Sequence, residues 1–230
     1  MPRTRSEEVS KVLLDTFDET MIDRSIPIGP QIYELLRLKI VLMELPPESQ
    51  INEHELARVL GVSRTPLRQA YQKLAGEGLI ISRPQVGSIV APIDQALIKE
   101  GIVIRRALER EVVQVLCSNK TDLSMLEPIL AMQEIAVRKR DYISYFKFDE
   151  EFHKTLAYAS GIPAAWRLAL SVKGHADRAR LSLMSKNKSR LERAYNEHIA
   201  LIAAIDSGAN KKAETIMNQH VNAVLEAIEK

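Results

Sequence analysis

Residues Asn52–Gly76 read NEHELARVLGVSRTPLRQAYQKLAG, and the class of fold turns on them. Asn52 suits a helix cap, and Glu55 three residues on makes a capping-box-like pair. The helix it opens, Glu53–Leu60, ends at Gly61. Ser63 caps the next, from about Arg64 to Gly76, with Pro66 in the first turn, where a missing N–H is harmless. Two short helices joined by Gly61-Val62-Ser63 form a helix-turn-helix. In such a unit the second helix lies in the DNA major groove, with its first residues at the base edges. Those residues are Arg64, Thr65 and Arg68. Arginine forks onto guanine O6 and N7, and threonine meets a thymine methyl or a phosphate. The N–H groups around Ser63 to Thr65 can hold a phosphate at the helix terminus.

Upstream, Ile32, Leu35, Leu36, Lys39, Ile40 and Met43 recur at helical spacing. Pro30 suits the first position of that helix, and Pro46-Pro47 stops it. Downstream, Leu79-Ile80-Ile81 and Ser88-Ile89-Val90 read as strands, with Arg83–Gly87 as the hairpin loop. Residues 1–28 form a polar arm. Val9, Val12, Leu13 and Phe17 have helical spacing there, so a short helix and a mobile tail are both open readings.

From Asp94 onward the pattern is helical. Asp94 starts a helix to about Ser118, and Thr121 starts another with Pro128 as a kink or restart. Asp141 caps a helix through Ala159, and Pro163 opens one running to about Met184. Ser189 and Glu192 form a second capping box, Gly208 closes that helix, and a last one covers about 210–229. The fold class is mainly α. An N-terminal winged helix-turn-helix, three helices plus a two-stranded wing over 29–92, precedes an all-α helical bundle over 94–230. The bundle is long enough for its own core.

Composition narrows the function. Thirty-two Lys+Arg against 30 Asp+Glu give a net charge of +2, which excludes a strongly basic or acidic tail protein. Residues 30–92 carry 7 basic and 6 acidic residues, so any basic face there must be made by folding. The single cysteine, Cys117, excludes a disulfide scaffold and any Cys-rich metal site, and reads as core filler. No apolar run approaches a membrane span and no signal-peptide core is seen, so the expectation is a cytoplasmic protein without membrane contact. Aromatic residues, at 5%, are too few for a single-strand stacking platform.

In the helical half, Asp149 and His153 stand at i and i+4 on one helix face. His198 lies in the stripe Leu191, Ala194, Leu201, Ile202, Ile205, and His220 in the stripe Ala213, Ile216, Met217, Val224. All three histidines point with the apolar residues. Two readings stay open on spacing alone: three separately satisfied core histidines, or one metal set. Imidazole and carboxylate would suit Zn²⁺, Ni²⁺, Mn²⁺ or Fe²⁺, and bundle cores are places where such sites are built.

The run Leu56–Ala70, with Leu74 and Glu77-Gly78-Leu79-Ile80, closely resembles the winged helix of the GntR family of bacterial transcription regulators. The resemblance implies DNA contacts by Arg64, Thr65 and Arg68, and by the wing around Gln85 to Gly87. Val86 departs from the basic wing residue of many relatives, and His54 stands where some use an arginine on DNA. Four further landmarks, Ile104–Glu109, Phe148–His153, Glu197–Ile205 and Met217–His220, resemble the FCD ligand-binding domain of the FadR-type branch. Ala209 departs from the Asp cap common in relatives. In metal-binding members the positions of Asp149, His153, His198 and His220 hold one divalent cation, and many of these members bind a small carboxylate at its open positions. Arg105 matches a family arginine and would pair either with that carboxylate or with Glu109. Arg178, with His175 at i−3, would line the pocket or face water. Trp166 and Tyr145 read as core.

The expected function is therefore a homodimeric regulator of a double-stranded DNA operator, in the sense of a repressor. A small carboxylate or sugar acid at a divalent metal (Zn, Ni or Mn) would control it. Two alternatives are a regulator that senses the metal alone and a metal-dependent hydrolase, the latter lacking a clearly placed general base.

Overall fold

The computed structural model describes residues 16–83, 87–187 and 189–228. The chain divides into two compact units, Met1–Ile93 and Asp94–Lys230.

The first unit contains α1 (Ile28–Val41), α2 (Glu53–Val59), α3 (Arg64–Gly76), β1 (Ile80–Arg83) and β2 (Gly87–Val90). Ile32, Leu36 and Ile40, spaced by four on α1, are completely buried, and α1 packs on α3. Pro27 stands at the N-cap of α1, so this helix starts earlier than the expected Pro30, which falls within its first turn. Asn52 caps α2 through the backbone N–H groups of His54 and Glu55. Ser63 occupies the N-cap of α3, but its side chain makes no capping bond, contrary to expectation. Gly61, in the turn between α2 and α3, has φ +61°, and a Cβ there would lie 2.7 Å from Arg24 Nη2. The positive φ favours glycine, whereas the exposed end of Arg24 can swing aside.

β1 and β2 pair antiparallel, Ile80 opposite Val90 and Arg83 opposite Gly87. A third extended segment, which the sequence did not announce, lies along β2. Gln50 bridges Ile89, Ile51 N–H donates to the Ser88 carbonyl at 3.0 Å, and Val90 N–H donates to the Ser49 carbonyl at 3.0 Å. The wing is thereby tied to the chain that leads into α2. The arm expected over 1–28 is not free along its described part. Phe17 and Ile22 are buried in the same core as Ile32, Leu56, Leu67 and Leu74. Val9, Val12 and Leu13 lie outside the described residues.

The second unit contains α4 (Gln95–Asn119), α5 (Glu127–Lys139), α6 (Tyr142–Ala159), α7 (Pro163–Val172), α8 (Gly174–Lys186), α9 (Ser189–Asp206) and α10 (Asn210–Asn222). α4 packs against α10, α7, α8, α6 and α9, and α5 against α6. Asp94 caps α4 and Asp141 caps α6 with side-chain acceptors. The single helix expected from Pro163 to about Met184 is two, broken at Lys173. The apolar period runs through the break and masks it. Lys173 is completely buried, with Nζ 2.7 Å from both oxygens of Asp177 and bonded to Glu150. On α4, a Cβ at Gly101 would lie 2.5 Å from the Val172 carbonyl oxygen, so α7 ends against bare backbone. The helix expected from Thr121 begins only at Glu127, after a 3₁₀ turn at Ser124–Leu126. The last helix gives way to a 3₁₀ turn over Ala223–Ala227.

Candidate functional site

In the first unit, Ser63, Arg64, Thr65, Arg68 and Gln69 are all exposed at the start and along one face of α3. Leu67, Ala70 and Leu74 bury the opposite face. Arg68 Nε donates to Glu53 Oε2 at 3.2 Å, an exposed pair easily exchanged for another acceptor. Arg83, at the end of β1, lies 3.6 Å from Glu48. Gly87 opens β2 with φ +92° and is exposed. Gln85 and Val86 lie outside the described residues. His54 is exposed on α2.

A buried network joins α1 to the end of α3. Tyr33 donates to Glu77 Oε1 at 2.6 Å, Arg37 Nε donates to Glu77 Oε2 at 3.2 Å, and Lys73 Nζ lies 3.4 Å from the centre of the Tyr33 ring. It fixes α3 by its far end.

In the second unit, Asp149, His153, His198 and His220 come together from α6, α9 and α10, all buried, with one donor atom of each within 4.8 Å of the others. The i, i+4 spacing puts Asp149 and His153 on the inner face of α6. The Nε2 atoms converge: His153 to His220 at 3.2 Å and His198 to His220 at 3.4 Å. Asp149 Oδ1 lies 3.6 and 3.7 Å from the Nε2 atoms of His198 and His220. That oxygen is buried and accepts no hydrogen bond among the described residues.

The other ring nitrogen of each histidine meets an acceptor. His153 Nδ1 lies 2.8 Å from Glu109 Oε2, on α4. His198 Nδ1 lies 2.8 Å from Gln133 Oε1, on α5, and the Gln133 amide is oriented by donating to the Phe148 carbonyl at 3.1 Å. His220 Nδ1 lies 2.7 Å from Glu197 Oε2, on α9. Bonded acceptors at the Nδ1 atoms of His198 and His220 favour protons there, which turns their Nε2 lone pairs inward; His153 Nδ1 lies near Glu109 Oε2 without a hydrogen bond among the described residues. Burial holds His198 well below the ordinary imidazole value of 6.5 and lowers His220 in the same direction. Burial alone would raise Asp149; the Arg180 guanidinium holds it well below the carboxylate range.

Lone pairs and a bare carboxylate oxygen aimed at one point repel unless a cation lies between them. A divalent ion about 2.0–2.1 Å from imidazole nitrogens sets those nitrogens about 3.0–3.4 Å apart, and the observed separations match. The donor set therefore fits a divalent metal, and the rings of His198 and His220 are oriented by bonded outer acceptors as metal-bound histidines are.

Around this cluster, Arg105 on α4 donates from Nε to Glu109 Oε1 at 2.7 Å, leaving Nη2 buried without a hydrogen bond among the described residues. Its carboxylate partner is thus the one beside His153. Arg178 is buried on α8, not water-facing, and burial lowers its pKa to about 10, so it stays charged at neutral pH. His175 is likewise buried, and its Nδ1 accepts from the Asp94 backbone N–H at 3.0 Å, which makes it structural. Tyr145, one turn before Asp149, is buried with its hydroxyl unbonded among the described residues, and its ring lies parallel to that of His198. Cys117 is buried, which pushes its thiol pKa up and away from the reactive thiolate.

The sequence reading missed Gln133, Arg180, the orienting role of Glu197 and the place of Glu109 beside His153. Gln133 left one trace, its place in the helical stripe Ile129, Leu130, Ala136, Val137, where it is completely buried. Arg180, on α8, donates from Nη1 to Asp149 Oδ2 at 2.6 Å.

Comparison with known proteins bears on both units. The family model described as bacterial regulatory proteins, gntR family, matches residues 29–90, and the FCD domain model matches residues 100–223. The HTH-type transcriptional repressor RspR of Escherichia coli K12 is 32% identical over 212 residues, covering 91% of this chain and 92% of its own. A probable D-xylose utilization operon transcriptional repressor of Paenarthrobacter nicotinovorans is 27% identical over 205 residues, covering 87% and 88%. Among solved structures, Escherichia coli McbR/YncC aligns with a TM-score of 0.75 at 21% identity, over 87% of this chain and 98% of that one, a likeness of fold.

Proposed function

From the membership of this chain in the gntR family of bacterial regulatory proteins, with an FCD domain, we propose that it is a homodimeric repressor governed by a metal-held acid. As a member of that family it is a DNA-binding transcription regulator and not an enzyme, so the hydrolase alternative is set aside. On this reading Arg64, Thr65 and Arg68 meet the bases, Ser63 and the α3 N-terminus meet a phosphate, and Gln85 and Gly87 bring the wing to the DNA. Asp149, His153, His198 and His220 hold one divalent cation, Zn²⁺, Ni²⁺ or Mn²⁺. Arg105 and Arg178 supply positive charge to a small carboxylate or sugar acid. The cation, when bound, polarises and anchors that acid.

One observation carries the reading. Three Nε2 atoms and Asp149 Oδ1 converge while every Nδ1 faces an acceptor. Two chains on one operator double the contacts of a small recognition helix, which supports the dimer. The acid then acts by favouring one arrangement of the protein over another, with a different fit to the operator.

The test is a thermal-shift screen of metal-stripped full-length protein and of His198→Ala against Zn²⁺, Ni²⁺ and Mn²⁺, each with and without sugar acids and dicarboxylates. A ligand at a hundred times its Kd adds about 2.7 kcal/mol of stability, a readable shift. Metal shifts in the wild type, lost in His198→Ala and enlarged by an acid, support the reading. A metal shift with no acid response turns it towards metal sensing, and no metal shift rejects the site.

A further inference from the structure

We infer that Arg180 couples the acid to the cation: it balances Asp149 in the metal-free site, turns onto the acid in the loaded one, and makes the site select a doubly charged acid. The inference rests on the reading of Asp149, His153, His198 and His220 as the metal set.

Arg180 is 6% exposed, and it places one of its five N–H groups on Asp149 Oδ2 at 2.6 Å. Nη2 is 3.7 Å from Glu150 Oε1, and neither Nε nor Nη2 makes a hydrogen bond among the described residues. The guanidinium lies 5.1 Å from the centre of the Phe146 ring, a flat apolar support over which it can shift. Arg180 thus neutralises Asp149 through Oδ2 while Oδ1 stays bare towards the histidines, and it holds further buried donors in reserve.

The local charges say what must follow. Arg105 and Arg190 already face Glu109 and Glu197, the two carboxylates beside the Nδ1 atoms of His153 and His220. Lys173 and the buried, charged Arg178 match Asp177 and Glu150 in charge. Asp149 is the one anion left to answer a dication, and Arg180 adds a positive charge beside it. With neutral imidazoles, a loaded site carries an excess of two positive charges in a buried setting. Buried charge without a partner is strongly unfavourable. An acid with two negative charges cancels the excess, whereas one with a single charge leaves half of it. Arg180, weakened on Asp149 by the added cation, offers the planar fork that a carboxylate accepts. Metal and acid therefore bind with positive coupling, and Arg180 is the residue that conveys it.

The experiment titrates full-length wild type, Arg180→Gln and Arg180→Lys with Ni²⁺ alone, then with malate and lactate on the metal-free and Ni²⁺-loaded forms. These two hydroxy acids share a chelating end and differ by one carboxylate. In the wild type, malate should bind the loaded form at least about tenfold tighter than the metal-free form, and tighter than lactate does. In Arg180→Gln, Ni²⁺ alone should bind about tenfold tighter than in the wild type, because the positive charge beside Asp149 is gone, while malate loses its advantage. Arg180→Lys keeps the charge and loses the fork, so Ni²⁺ affinity should stay near wild type and malate affinity fall. That variant carries the test if Arg180→Gln fails to fold. Unchanged Ni²⁺ and malate affinities in the variants, or no preference for malate, overturn the inference and leave the metal site standing. Absence of Ni²⁺ binding by the wild type overturns both.

Discussion

At the level of single residues, the candidate centre depends on where three protons sit. Gln133 and Glu197 hold those of His198 and His220 on the Nδ1 side, so their Nε2 lone pairs point inward, and Glu109 Oε2 lies 2.8 Å from His153 Nδ1. Gln133→Leu removes the acceptor for His198 without touching a proposed ligand. Metal affinity should fall about 10- to 100-fold, the usual effect of losing an outer partner, read by competition with a chromophoric chelator. The pH response has a defined sign. The folded His198 titrates below 6.5 and the unfolded one near it, so the unfolded chain binds more protons as pH falls. Stability of the metal-free protein is present above pH 6.5 and is lost towards the folded value. A melting temperature that falls on acidification below 6.5 is the expected result, and one that rises would contradict the burial of neutral imidazoles. The convergence of Asp149, His153, His198 and His220 was foreshadowed by their place in apolar stripes and by the FCD resemblance. Arg180 was not, because an arginine between Ala179 and Leu181 carries no mark of its partner, which lies 31 residues away on another helix.

Among the elements, turn chemistry was the most legible part of the sequence. Gly61, Asn52, Asp94 and Asp141 stand where a φ above zero or a capping acceptor is needed, and each marks an element end in the structure. What remained hidden was decided by tertiary contact. The break at Lys173 follows from a buried ion pair with Asp177 and from the approach of Val172 to Gly101, which no local period records. The segment beside β2 depends on backbone bonds to Ser49 and Ile51 that any sequence can make. Gly61→Ala should destabilise the first unit by about 1–2 kcal/mol through the left-handed backbone, read by chemical denaturation. Arg68→Ala is the contrasting case. Its pair with Glu53 is exposed, so stability should change by less than about 1 kcal/mol while selected-site DNA binding falls at least about tenfold. Equal DNA affinity would remove Arg68 from the reading face.

In the molecule as a whole, family membership joins a DNA-reading unit to a unit with a candidate metal and acid site in one chain. In the proposed function the second governs the first by differential binding, which requires the loaded and metal-free proteins to differ in operator affinity. The decisive measurement is fluorescence anisotropy on a duplex selected by this protein from a random library. It compares metal-free wild type, wild type with metal and the acid found by thermal shift, and His198→Ala under the same conditions at one salt concentration. Loading the wild type should change the operator Kd at least about fivefold, within the usual range of coupling between sites, and His198→Ala should show no change. Equal operator affinity for the loaded and metal-free wild type, or an equal response in His198→Ala, would contradict control of the DNA-reading unit by the metal-held acid.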